Sequence, residues 1–466
     1  MNNISKTDIV KEFIFKQIKE GKIKKNMRLP SCREVALKLS LNKITVNKAY
    51  NELEREHKVY SIPRGGFYLV DSEKKYSSQN TEVDFATVKP DSKLIPYREF
   101  AHSINNAMEE YKSTLLDYES TIGLQSFRES LKSEFESNGV YTTSDRIIVT
   151  HGAQQAISLV FQAIFKNNKG KLLVEVPTYS IALNLASYLE VDVVGIERKE
   201  DGFDFKKIEM LFKKGDIAAF YVIPRHHNPT GYSLTENNKK KIAELCNKYN
   251  IIVIEDDYLA DLGYKKGSMP IHYYDITKST VYIKSFSKTF MPGLRLGVAV
   301  LPQNLNESVV NLKYISDLNT SKLTQATLDI FIKSGMYEKH VKKVKKSYEA
   351  KLRRAKEIID TLSPKNLIWH VPENGIFIWV KLPKYIDITL LKNNLKKRGI
   401  LINSTEEYFL KEEWEARDSN YLRLCISSIP EEDISSITDI ISEIKILMEA
   451  YDERDVSERI YIPFSN

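Results

Sequence analysis

The chain has 466 residues, 42% of them apolar and 28% charged, with 69 Lys plus Arg against 62 Asp plus Glu for a formal net charge of +7. That length exceeds one ordinary core, so at least two domains are expected, and no apolar run approaches the ~20 residues that a bilayer-crossing helix needs. Three scattered cysteines, Cys32, Cys246 and Cys425, exclude a disulfide framework or a cysteine-based zinc site and read as small apolar fillers; with no signal-peptide core after Met1, a cytoplasmic protein is expected.

The charge is unevenly placed. Residues 1–70 hold 15 Lys plus Arg and 7 Asp plus Glu, so this head carries +8 and the rest of the chain −1. Such asymmetry is expected of a chain whose one end meets a polyanion. Apolar residues Ile9, Val10, Phe13, Ile14 and Ile18 recur at helical spacing over residues 7–20, and Gly21 closes that helix. A second helix starts near Ser31, a capping residue, and carries Val35, Ala36, Leu37 and Leu39. The third runs over about residues 43–56 and buries Val46, Ala49, Tyr50 and Leu53. Residues 59–62 and 67–70 flank a turn at 63–66 and predict a short hairpin.

Three helices followed by a β-wing place the third helix in the DNA major groove and the wing beside the backbone. The leading end of that helix supplies Asn42, Lys43, Thr45, Asn47 and Lys48 as candidate contacts. Arg28, Arg33 and Arg64 are placed to neutralise phosphates, and Ser31 joins them at the helix cap. A solvated packing or dimerisation module is the alternative reading of this pattern. The stretches Arg28-Leu29-Pro30-Ser31-Cys32-Arg33-Glu34-Val35-Ala36 and Thr45-Val46-Asn47-Lys48-Ala49-Tyr50-Asn51-Glu52-Leu53 resemble the winged-helix domain of the GntR family of bacterial regulators. Asn42-Lys43-Ile44 and His57-Lys58 depart from that family's usual Ser-Arg pair and glycine, which leaves the operator sequence open.

Residues 71–93 turn polar and aperiodic and are read as a linker. Beyond them, short β-rich runs at 146–150, 171–176, 191–197, 217–223, 251–255, 281–285 and 297–301 alternate with helical patterns such as 154–165 and 235–249. Alternation of this kind predicts an α/β domain, a largely parallel sheet covered by helices on both faces, over residues 94–340. A long basic helix over about 337–362 leads into a smaller α+β domain at 341–466, with strands near 367–371, 376–381 and 421–426. The basic run from Lys339 to Lys346 reads as that helix's solvated face, with a second DNA contact as the alternative. Trp369, Phe377 and Trp379 read as core of the small domain.

The chemistry gathers at predicted strand ends. Lys288 follows one strand, is flanked by Ser285 and Ser287, and precedes Arg295 by seven residues. A Schiff-base amine and a phosphate clamp have that form, although a lone surface lysine is the plainer reading of this segment by itself. In Glu255-Asp256-Asp257-Tyr258 a carboxylate at the sheet's carboxyl edge can hold a pyridine nitrogen protonated. Asn228 ends another strand and offers an amide to a phenolic oxygen, whereas His226 and His227 lack a third ligand at metal spacing and are read as site-lining. Ala153 and Gln154 open a helix whose free N–H groups suit a phosphate, and Tyr179 offers an aromatic face.

These segments, in this order, resemble the fold-type I aminotransferases over roughly residues 85–460. The resemblance implies pyridoxal 5′-phosphate as cofactor, with Lys288 as the Schiff-base lysine, Asp256 on the pyridine nitrogen, Asn228 and Tyr258 on the ring hydroxyl and Tyr179 stacked on the ring. It implies that Ala153, Gln154, Ser285, Ser287 and Arg295 hold the phosphate, joined by Tyr118 from the partner subunit. Arg423, in Tyr421-Leu422-Arg423-Leu424, matches the arginine for a substrate or effector α-carboxylate; a surface ion pair is its plainer reading. Head and body together resemble the MocR subgroup of the GntR family. That resemblance implies a head-to-tail homodimer that binds a double-stranded DNA operator and senses pyridoxal phosphate or an amine through aldimine formation. A catalytically active aminotransferase with an appended DNA-binding head is the alternative, and a body that has lost its cofactor is disfavoured because Lys288, Asp256 and Arg295 all remain.

Overall fold

In the computed structural model, residues 5–23, 27–55, 58–62, 65–69, 82–117, 120–166, 169–263 and 268–460 are described. They fall into two compact units, Met1–Thr81 and Glu82–Asn466.

The head consists of helices α1 (Lys6–Lys19), α2 (Cys32–Leu39) and α3 (Lys43–Arg55), followed by strands β1 (Val59–Ile62) and β2 (Gly66–Leu69), which pair antiparallel. Its helix starts are written in local sequence. Ser31 and Glu34 form a reciprocal capping box on α2, and the Asn42 carboxamide accepts from the Ile44 N–H at the start of α3. Val46, Ala49, Tyr50 and Leu53 are all buried, with the Tyr50 hydroxyl donating to the Pro30 carbonyl at 2.8 Å. Leu37, expected inside, is 83% exposed. Val35, Ala36 and Leu39 share the inward stripe at i, i+1 and i+4, and position 37 lies around the helix from it.

In the body, strands β4 (Ile147–Thr150), β5 (Lys171–Val176), β6 (Val193–Glu197), β7 (Ile217–Val222), β8 (Ile252–Asp256), β9 (Val281–Ser285) and β10 (Gly297–Val300) form one sheet in the order β4-β10-β9-β8-β7-β5-β6. All neighbours run parallel except β10, which is antiparallel to both β4 and β9. The reversal has a consequence for the site. Gly297 pairs with both Ser285 and Thr150, so the start of β10 lies at the edge where its neighbours end. Strands β11 (Ile368–His370), β12 (Phe377–Pro383) and β14 (Ser419–Cys425) build a second, antiparallel sheet.

Residues 82–93, expected in the linker, belong to the body. Strand β3 (Val83–Asp84) pairs parallel with β13 (Ile400–Leu401), Phe85 is fully buried, and Asp91 forms a buried ion pair with Lys351. Polar sequence hid this because the segment docks through backbone hydrogen bonds, the buried Asp91–Lys351 ion pair and only a few apolar side chains, Phe85 foremost. The helix Met336–Leu362 runs unbroken through the expected 340/341 boundary, and apolar residues from both sides of it share one core. Among the described residues, no helix is long and apolar enough to cross a membrane.

Candidate functional site

On the head, Asn42, Lys43, Ile44, Asn47 and Lys48 are exposed and Thr45 is half-buried, so one end of α3 presents a mainly polar and basic face. Ile44, which sequence reading passed over, stands 77% exposed in its midst. Arg33 is exposed on α2, and Arg28 lies against the wing, where a Cβ on Gly66 would come within 2.8 Å of its guanidinium. Ser31 uses its hydroxyl to accept from the Glu34 N–H, a capping role. Arg64 and Tyr118 lie outside the described residues.

In the body, one cavity of about 350 Å³ is lined by Ala153, Gln154, Tyr179, Asn228, Asp256, Tyr258, Ser285, Ser287, Lys288, Arg295 and Arg423, joined by Val88, Ser180, Ile181, Ile223, Phe377, Glu407 and Tyr408. Every described cofactor-site residue expected from sequence therefore meets at one place. They come from the carboxyl ends of β4, β5, β7, β8 and β9, from β14, and from the start of the antiparallel β10, the arrangement that open α/β sheets use for ligands.

At one end, Gly152 adopts φ +81 as the N-cap of the helix Ala153–Phe165. Gly297 packs so closely beneath it that a Cβ would stand 2.5 Å from the Gly152 carbonyl carbon. The exposed N–H groups of that helix start face Arg295, whose guanidinium donates to the His151 carbonyl at 3.3 Å. Such a helix end beside an arginine is an anion receptor.

At the centre, Asp256 is 3% exposed. One of its oxygens accepts from the Tyr221 hydroxyl at 2.6 Å, and the other, Oδ1, is buried without a hydrogen-bond partner. Burial pushes the Asp256 carboxyl up to about 7 against the Tyr221 hydrogen bond, with Asp257 adding to the rise. Asp257 faces elsewhere, in a buried ion pair with Arg225 and a 2.9 Å bond from the Tyr282 hydroxyl, which fixes the strand end. The Lys288 amine donates to the Val88 carbonyl at 2.9 Å. Burial lowers its pKa, with Arg295 and Arg423 adding to the effect against Cys425. The long helix pins this lysine's loop. Tyr348 donates to the Lys288 carbonyl at 3.3 Å, and His340 Nε2 lies 2.7 Å from the Thr289 carbonyl oxygen.

At the far end, Arg423 is only 6% exposed and makes no ion pair among the described residues. Its guanidinium donates to Asn228 Oδ1 at 3.0 Å and to the Ala86 carbonyl at 2.9 Å, between the rings of Phe377 and Tyr408 at 4.7 and 5.0 Å. A buried guanidinium held by neutral acceptors keeps its charge for a carboxylate.

One expectation needs correction. His226 and His227 do not line the cavity: both are buried and hold the loop that presents Asn228, His226 between the Gly263 and Asn374 carbonyls and His227 against Thr230 and Glu175. Phe377, expected as core, is buried in the body's apolar core and at the same time walls the site. Sequence reading missed Tyr221, whose signal was a lone hydroxyl in the apolar run of β7. It also missed Val88 and Ala86, which act through carbonyls and so leave no side-chain signal.

Comparison with known proteins gives the family of each unit. Residues 88–441 match the aminotransferase class I and II family, and residues 6–69 match the gntR family of bacterial regulatory proteins. The uncharacterized HTH-type transcriptional regulator YcxD of Bacillus subtilis is 35% identical over 412 residues, covering 87% of this chain and 92% of its own. Aromatic-amino-acid aminotransferase 1 of Thermococcus litoralis is 27% identical over 76% of this chain and 85% of its own. The crystal structure of Pyrococcus horikoshii kynurenine aminotransferase in complex with PMP superposes with a TM-score of 0.72 at 27% identity, covering 78% of this chain and 91% of that one. The chain thus belongs to the aminotransferase class I and II family and carries that body behind a GntR-family head, the arrangement of the MocR-type regulators.

Proposed function

We propose that this protein is a DNA-binding transcriptional regulator whose body binds pyridoxal 5′-phosphate and senses it, or an amine presented to it. The observation that carries the reading is the single cavity in which Lys288, Asp256, Arg295 and Arg423 converge, in a chain that also bears an exposed basic recognition helix.

The residues present fit the cofactor. Asp256 Oδ1, buried and unpartnered, suits a protonated ring nitrogen, whose charge would restore the carboxylate that burial disfavours. The Ser287 hydroxyl is likewise buried without a partner; with Ser285, Arg295 and the N–H groups of Ala153 and Gln154 it would hold the phosphate. Tyr179 would cover the ring face, and Asn228 and Tyr258 would meet its hydroxyl. When bound, the cofactor supplies an electrophilic carbonyl carbon on a ring that withdraws electrons. Lys288 contributes an amine that burial keeps closer to its neutral, nucleophilic form. Arg423 contributes the charge that orients a carboxylate.

The DNA contacts are Arg28, Arg33, Lys43, Lys48 and Arg64 on phosphates and Asn42, Thr45 and Asn47 on base edges, with Ser31 at the cap. Ile44 adds an apolar surface suited to a thymine methyl group. The head-to-tail homodimer belongs to this reading, with Tyr118 reaching the partner's phosphate, and sedimentation of the full-length protein measures it.

Lys288→Ala should abolish the visible absorbance of the purified protein while DNA binding survives; an unchanged spectrum would overturn the cofactor assignment. Lys288 beside Arg423 would equally serve amino transfer. Keto-acid formation through many turnovers from amino donors and 2-oxoacids would replace the regulator reading with that of an enzyme.

A further inference from the structure

Among the described residues, five charged side chains line the cavity: Asp256, Lys288, Arg295, Glu407 and Arg423. On the cofactor reading, on which this inference rests, four of them have a counterpart. Asp256 meets the ring nitrogen, Lys288 the carbonyl carbon, Arg295 the phosphate and Arg423 a carboxylate. Glu407 has none.

Glu407 belongs to a short, well-anchored segment. It lies in the 3₁₀ turn Glu406–Tyr408, preceded by Thr405, whose hydroxyl donates to the Tyr421 carbonyl at 3.0 Å. The Tyr408 carbonyl accepts from the Thr178 N–H at 2.8 Å, which ties the turn to the loop carrying Tyr179. The Tyr408 ring is buried against Arg423, but the Glu407 side chain stays exposed and forms no ion pair among the described residues. Nor does it neutralise Arg423, whose donors go to Asn228 and Ala86. The cavity therefore combines a carboxylate receptor, apolar walls at Val88, Ile181 and Phe377, and a second, negative charge. An amino acid bound through its α-carboxylate would meet those walls with its side-chain methylenes. An acidic side chain would meet repulsion from Glu407, and a neutral one would gain nothing from it.

We propose that Glu407 selects an effector with a second cationic group, a basic amino acid whose methylene chain ends in an amine or a guanidinium. The stem covers apolar wall while the cation reaches Glu407, the usual division of labour in a long basic side chain.

Isothermal titration calorimetry on the full-length protein, with its visible spectrum recorded first, tests the proposal. The probes are L-lysine, L-ornithine, L-arginine, the uncharged L-norleucine and the acidic L-glutamate. At least one basic amino acid should bind about threefold to fivefold more tightly than norleucine, and glutamate should bind least well. Glu407→Gln should bring the basic ligand to within about twofold of norleucine, and Glu407→Lys should turn the preference toward glutamate. Equal affinities for basic and neutral ligands in the wild type, or a basic preference that survives Glu407→Gln, would overturn the role of Glu407 and leave the cofactor reading standing. A protein without visible absorbance in the presence of pyridoxal phosphate would overturn the cofactor reading itself, and this inference with it.

Discussion

The two units hold their functional groups in opposite ways. On the head, Arg28, Arg33, Lys43 and Lys48 are exposed on short local elements. In the body, Asp256, Asn228, Ser287 and Arg423 are buried and arrive from segments nearly 200 residues apart in the chain. Exposed cations act through a screened, long-range field, so their contributions are modest and salt-dependent. Buried groups act at short range in low dielectric, where a missing partner is costly and effects do not add. The head is thus built for graded attraction and the body for all-or-none recognition.

Substitutions can break or sharpen that contrast. The largest effect is expected at Asp256. Asp256→Ala removes the only buried carboxylate among the described residues that line the cavity and should weaken cofactor affinity at least ~100-fold by fluorescence titration. Because burial holds this carboxyl up to about 7, it is protonated below that pH and must release its proton to receive a cationic ring. Affinity should therefore rise with pH between about 5 and 7, and Asp256→Asn should lack that part of the rise. A loss of under threefold would place Asp256 with the head's additive charges.

Gly297→Ala comes next. Its Cβ would press on the Gly152–Ala153 turn at 2.5–2.6 Å, costing about 1–3 kcal/mol by overpacking. A lowered melting temperature together with weaker retention of the cofactor is the expected pair of results; an unchanged Tm would mean that the cradle is slack. On the head, Lys43→Ala or Lys48→Ala should weaken DNA binding about tenfold and reduce the salt slope by about one per lost phosphate contact. An unchanged slope would remove that lysine from the phosphate contacts. The smallest change is Ser31→Ala, which deletes half of the α2 capping box and should cost about 1 kcal/mol, read as faster hydrogen exchange of the α2 amides in the full-length protein.

The same contrast explains what sequence could and could not reveal. The head's helices and wing follow from caps and apolar spacing within a few turns, so Ser31, Val46, Tyr50 and Leu53 were readable one residue at a time. The body's strands were readable as apolar runs, and Lys288, Asp256 and Arg295 as polar residues at their ends. Residues 82–93 were not, because their docking depends on β13, more than 300 residues away. Phe377 looked like an ordinary core aromatic and nothing in the sequence singled out Tyr408; only the fold brings them against Arg423. The antiparallel direction of β10 was equally hidden, although it is what places Arg295 beside the helix start at Ala153.

The central claim is that what the body binds changes what the head does. Fluorescence anisotropy of the full-length protein on DNA from upstream of its own gene measures this directly, with and without pyridoxal phosphate and a panel of amines, for the wild type and Lys288→Ala. The account predicts that wild-type DNA affinity or site occupancy shifts on adding cofactor or cofactor plus amine, and that Lys288→Ala still binds DNA but no longer responds. Identical binding curves for the wild type under every condition would contradict it.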